Sequence, residues 1–163
     1  MNPKQKRTLI LAGIIGTLFA CYEESEKTAL HRLLHKRIGV GTRRMVKRYG
    51  SAAVVQVVHD EGNAIWKDSV DHFSEQKITI EASACVLALL NIDDKALGKH
   101  FGLSRAKMGL WAKPTRRADA VELDKQSRAV AKYVELKINA LYGIETEKKM
   151  SVMERIEMAR MSA

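Results

Sequence analysis

Asp94-Lys-Ala-Leu-Gly-Lys-His-Phe-Gly-Leu-Ser-Arg-Ala-Lys-Met-Gly-Leu-Trp-Ala112 is the stretch on which the fold turns. Its spacing predicts two short helices joined by a tight turn. Asp93 or Asp94 is placed to cap the first, because a short polar side chain accepts from the N–H groups left over at a helix start. Gly102 follows Phe101 and suits the left-handed conformation that closes many helices and strains any residue bearing a Cβ. Ser104 then caps the second helix, with Leu103 before it and Met108 after it as a hydrophobic staple. Leu97, Phe101, Leu103, Met108 and Trp111 are expected to face inward, and Gly98 is small where the helices cross. Gly109 is the discordant residue, costing about 1 kcal/mol of helix propensity against Ala.

Outward from this stretch the pattern stays helical. No proline interrupts the chain between Pro3 and Pro114, so nothing there removes a helix hydrogen bond. Glu81–Ile92 reads as a buried helix, completing a tri-helical unit over residues 81–117. A longer helix is expected over Ala118–Tyr142, with Val130, Val134, Ile138 and Leu141 apolar. Ser51 is placed to cap a helix reaching Phe73, with Val54, Val55, Val58, Ile65, Val70 and Phe73 available for burial. Lys77–Ile80 is expected to be extended, since three of its residues are β-branched. Ile38-Gly39-Val40-Gly41 is expected to break the preceding helix, because closely spaced glycines are costly in a helix interior. A short basic helix, Thr42–Tyr49, then ends at Gly50. The fold class is all-α, a compact multi-helix domain. Its expected divisions are an N-terminal apolar and basic segment (1–50), a helical core (51–143) and a C-terminal helical tail (144–163).

The chain carries 28 Lys and Arg against 19 Asp and Glu, a net charge of +9. Seven of the cations lie in residues 31–50 and seven in residues 95–117, and neither block holds an acid. The other 120 residues carry 14 cations against 19 acids, a net of −5. Local positive charge of this kind favours phosphate-bearing partners. Two cysteines, Cys21 and Cys85, exclude a disulfide framework and point to a reduced compartment. A hydrophobic content of 46% excludes intrinsic disorder.

Asp94–Lys113 resembles the helix-turn-helix superfamily of DNA-binding domains. The match rests on Gly98, Phe101, Gly102 and Leu103, and departs from the usual pattern at Gly98 and Gly109. The resemblance implies that the second helix enters the major groove with its N-terminal residues nearest the bases. It nominates Ser104, Arg105 and Lys107 for base or phosphate contact and Lys113, Arg116 and Arg117 for the backbone. Arg105 is the candidate for bidentate guanine recognition. In the other block, Arg43, Arg44, Lys47 and Arg48 recur at helical spacing. They either grip phosphates or form a solvated face balanced by Glu23, Glu24 and Glu26.

The apolar run from Thr8 to Tyr22 follows Lys4, Lys6 and Arg7, the order of a secretory signal. Its end, Leu18-Phe19-Ala20-Cys21, resembles the lipobox of bacterial lipoproteins, with Phe19 out of pattern. A buried or partner-binding helix is the commoner outcome for a run of this length. Glu61, Asp68 and His72 share one face of the 51–73 helix, a spacing compatible with a metal ligand set. No second such helix completes it, and an exposed polar face accounts for the residues. No catalytic, cofactor or metal site is expected. Met150, Met153 and Ile156 make an apolar stripe suited to a partner chain or a second copy. These features together suggest a cytoplasmic DNA-binding protein of the regulator or nucleoprotein-assembly kind. The alternatives are a structural component, such as one of a phage virion or packaging apparatus, and a membrane-associated or lipidated protein using residues 1–22.

Overall fold

The computed structural model describes residues 1–20, 22–104 and 120–143, together with residues 156, 159 and 160. In chain order these form α1 (Pro3–Ala20), a 3-10 turn (Glu24–Glu26), α2 (Ala29–Tyr49), α3 (Ser51–Val55), a π-helical segment (Gln56–Gly62), α4 (Asn63–Glu75), α5 (Ala82–Ile92), α6 (Asp94–Phe101) and α7 (Ala120–Tyr142). The fold is all-α, with no strand among the described residues.

Two helices are apolar on every side, and the others wrap them. Leu9, Ile10, Leu11 and Ala12 of α1 are consecutive and all fully buried, which requires neighbours all round the helix. Ser83–Val86 and Ala88–Leu90 of α5 are likewise buried. α1 packs on α5, α2 and the π segment, and α5 packs on α7. The apolar run that begins the chain is therefore core. Each Leu or Ile it removes from water contributes about 1.5–3 kcal/mol. Among the described residues no helix is long and apolar enough to cross a membrane. Cys21 lies outside the described residues.

α2 departs from the expected break at its two glycines. It runs unbroken from Ala29 to Tyr49, through Gly39 and Gly41. A Cβ built on Gly41 would lie 2.3 Å from Phe101 Cδ1 and 2.6 Å from its Cε1. Gly41 is buried, and the α6 aromatic ring occupies the space its side chain would take. Packing thus offsets a loss of helix propensity that the sequence alone presents as a break. The start of α2 is a capping box in which a histidine replaces the usual Glu or Gln. Thr28 Oγ1 accepts from His31 N, and Thr28 N donates to His31 Nδ1, both at 3.2 Å.

α3, the π segment and α4 form one continuous rod. Gly50, at φ 90°, occupies the cap position expected of Ser51, which is instead the first helical residue. Within the rod Val54, Val57, Gly62, Ile65, Ser69 and Phe73 are buried, whereas Val55 and Val70 are each 48% exposed. The step of five from Val57 to Gly62 marks the π segment, where the wider helix delays the return to the same face. The expected extended piece at Lys77–Ile80 is a helix stop. Lys77 adopts φ 55°, its N–H donates to Ser74 O at 3.0 Å, and Ile78 N–H donates to Phe73 O at 3.0 Å. This is the Schellman arrangement with a lysine in place of glycine.

α7 closes the rod against α5 through polar as well as apolar contacts. His72 stacks on Tyr133 at 4.0 Å, Lys137 lies 3.6 Å from Asp68, and Tyr142 donates its hydroxyl proton to Glu61. Burial, then the Glu61 carboxylate, push the Tyr142 phenol above its ordinary value of 10. The bonded phenol therefore contributes stability that is fully present below pH 10 and lost as pH rises through the raised folded value. Tyr142→Phe is expected to lower stability by about 1 kcal/mol. It should also flatten the alkaline loss of stability, read from urea unfolding on either side of pH 10. An unchanged alkaline limb would show that other groups dominate it.

Candidate nucleic-acid interface

The cations of α2 share one side of the helix. At about 100° per residue, Arg32, Lys36, Arg37, Arg43, Arg44, Lys47 and Arg48 fall within an arc of about 160°. His31, Leu34 and Ile38 point the opposite way and are buried. The four residues nominated from this block, Arg43, Arg44, Lys47 and Arg48, are all exposed.

Acid balance stops at the first turns of the helix. Glu24 lies 2.9 Å from Lys27 and 3.3 Å from Arg32. The Lys27 ammonium, and then the Arg32 guanidinium, hold its carboxyl below the ordinary carboxylate value. Beyond that point Lys36, Arg43, Arg44 and Lys47 have no ion pair among the described residues. Arg48 covers the Tyr49 ring at 5.2 Å, and Tyr49 Oη accepts from Gln5 Nε2 at 2.6 Å, so the end of α2 is tied to the start of α1.

The second basic block meets the first through α6. Gly102 adopts φ 66° and ends α6 in the expected left-handed conformation, with its N–H donating to Gly98 O at 3.0 Å. The turn folds back so tightly that a Cβ on Gly98 would lie 2.9 Å from Leu103 O. Leu97, Phe101 and Leu103 are buried, as their spacing predicts. Asp93, not Asp94, holds the cap position of α6, without a side-chain cap bond. Arg37 of α2 donates to the Gly102 carbonyl, joining the two acid-free blocks directly. Between the helices lies a cleft of about 400 Å³ with Lys36, Arg37 and Arg44 on one wall and Lys99 and His100 on the other.

Ser104 is exposed at the end of this turn. Arg105, Lys107, Lys113, Arg116 and Arg117 lie outside the described residues, as do Met108, Trp111 and Met150 and Met153 of the tail. Lys36, Arg37, Lys99 and His100 were not nominated from sequence as site residues, although the three cations belong to the two blocks. The spacing of Lys36 and Arg37 seven residues before Arg43 and Arg44 was the available signal, since seven residues are two helical turns.

The acids and histidines of the rod do other work. Glu61, Asp68 and His72 share a face, and α7 covers that face with Tyr142, Lys137 and Tyr133. Among the described residues no group of three His, Cys, Asp or Glu side chains is placed to hold a metal ion. Cys85 is buried in α5, and desolvation pushes its thiol up to about 12, which disfavours the reactive thiolate. Arg7 is the one inward-turned cation of the α1 start. It reaches Glu135 at 3.0 Å and Asp93 at 3.8 Å, with its side chain 13% exposed. Comparison with protein-family models, with characterised proteins and with solved structures finds no match to this chain.

Proposed function

We propose that this protein binds nucleic acid, duplex DNA foremost, through the cationic surface that α2 and α6 make together. The observation that supports this reading is that Lys99, from one acid-free basic block, shares a cleft with Lys36, Arg37 and Arg44 of the other, whose Arg43, Lys47 and Arg48 lie exposed on the same side of α2. Protein charges so grouped raise the local potential and draw a polyanion from solution. Each phosphate they neutralise releases condensed counterions. In this reading Lys36, Arg43, Arg44, Lys47, Arg48 and Lys99 meet backbone phosphates, which set position but not sequence. Ser104, Arg105 and Lys107 supply base contacts, with Lys113, Arg116 and Arg117 on the flanking backbone. The protein then works in the cytoplasm or within a nucleic-acid-containing particle.

The test is a titration of the protein against random and selected duplexes across a salt series. With about nine phosphates neutralised, the slope of log affinity against log salt is expected near −8. A selected sequence that outcompetes random duplex supports a specific reader. Equal affinity for every sequence reduces the function to non-specific packing or assembly. Absence of binding at low salt rejects nucleic acid as the partner.

A further inference from the structure

We infer that the α2–α6 cleft is a shaped seat for one sugar–phosphate unit of a nucleic-acid backbone, which rests on the nucleic-acid reading above and goes beyond its diffuse charge. The cleft is not merely a cationic surface. Lys36 and Arg44 stand on the α2 wall and Lys99 and His100 on the α6 side, while Leu33 and Val40 contribute apolar surface on the α2 wall between its cations. Leu33 is 38% exposed and shares the cleft lining with these cations. The apolar wall offers a phosphate group no hydrogen bond, and a phosphate group has no carbon surface to set against it. A sugar–phosphate unit presents both surfaces, a charged phosphate and the carbon face of a pentose.

The cleft leaves room for such a unit. The cleft, at about 400 Å³, sits toward the small end of ligand-sized pockets. Its walls are fixed on both sides. Gly41 lets the Phe101 ring lie against α2, and Arg37 holds the Gly102 carbonyl, so α6 is seated at a defined distance from α2. Preorganised walls of this kind spare a ligand the cost of ordering them. The seat reads backbone shape and charge and carries no base preference of its own.

Filling the cleft without changing its charge tests this. Leu33→Trp and Val40→Trp each add a bulky apolar side chain to the α2 wall of the cleft, and both leave every cation in place. Binding of a short labelled duplex is measured for wild type and both variants by fluorescence anisotropy at low salt, with folding checked by circular dichroism. The expected result is a loss of affinity of at least about tenfold in whichever variants fold, with the salt slope reduced by about one phosphate. Leu33 is partly exposed, so Leu33→Trp keeps the test open if Val40→Trp misfolds. Wild-type affinity and slope in a folded variant overturn the seat while leaving nucleic-acid binding by diffuse charge intact. A wild-type protein that fails to bind duplex overturns both.

Discussion

Replacing Lys36 and Arg44 by glutamate in one chain is expected to weaken duplex binding by at least about 100-fold at low salt, because each lost phosphate contact is worth about a factor of ten. The two side chains lie on one wall of the cleft, two turns apart along α2, and neither has an acidic partner among the described residues. Their replacement removes attraction without exposing a stranded carboxylate. It also sets two negative charges opposite Lys99, adding repulsion toward the incoming phosphates. The salt slope should become shallower by about two, since the slope counts contacts. A matched double replacement of exposed cations away from the cleft, Lys125 and Lys132 of α7, controls for net charge. Equal losses in both doubles would mean that overall charge, not this surface, governs binding. Thermal unfolding should differ little between the doubles and wild type, because exposed substitutions of this kind rarely exceed about 0.5 kcal/mol.

The other large effect concerns two glycines that stand two residues apart and should respond in opposite directions. Gly39→Ala meets only the end of a flexible side chain, Arg43 Nη1 at 4.0 Å. It should gain helix propensity and raise stability by about 0.5–1 kcal/mol. Gly41→Ala places a methyl into the Phe101 ring, which is 5% exposed and has little room to retreat. Overpacking of this kind costs about 1–3 kcal/mol. Urea unfolding of both variants measures the contrast. Gly41→Ala combined with Phe101→Leu should lose less than the two single losses together, because the smaller side chain relieves the overlap. Stabilisation by both single replacements would show that the ring does not sit against Gly41.

These glycines also mark how far the sequence could be read. Propensity alone argues that Gly39 and Gly41 interrupt α2, and the Phe101 ring, arriving from sixty residues away, accounts for Gly41. Local chemistry was legible where the cause was local. Gly102 in its left-handed turn, Gly50 at the end of α2 and the buried Leu97–Phe101–Leu103 set follow from neighbours along the chain. Burial along the rod was legible only in part. Val54, Ile65 and Phe73 face inward as ordinary helical spacing predicts, but Val55 and Val70 do not, and Val57 was missed. Ordinary spacing from Val54 places Val57 inward and Val55 outward, and from Ile65 places Val70 off the buried face, but valine as a residue type does not separate them. For the candidate site, composition located both basic blocks, and helical spacing located Arg43, Arg44, Lys47 and Arg48. Nothing local could pair Lys36 with Lys99, since that proximity is a product of α2 packing on α6.

The π segment has a consequence for chain length. The two ends of the rod keep one buried face and meet different partners along it. The part around Val57 and Gly62 is timed to α1, where a Cβ on Gly13 would come within 2.9 Å of Val58. The part after it is timed to α7, through Asp68, His72 and Phe73. The step of five from Val57 to Gly62 holds one residue more than an ordinary turn, so removing one residue between Gln56 and Gly62 would restore an ordinary helix with both halves still facing their partners. His59 and Asp60 there are exposed, and their identities are free to vary. Their number has slack as well: the extra residue widens the segment, and the halves on either side keep their facing without it.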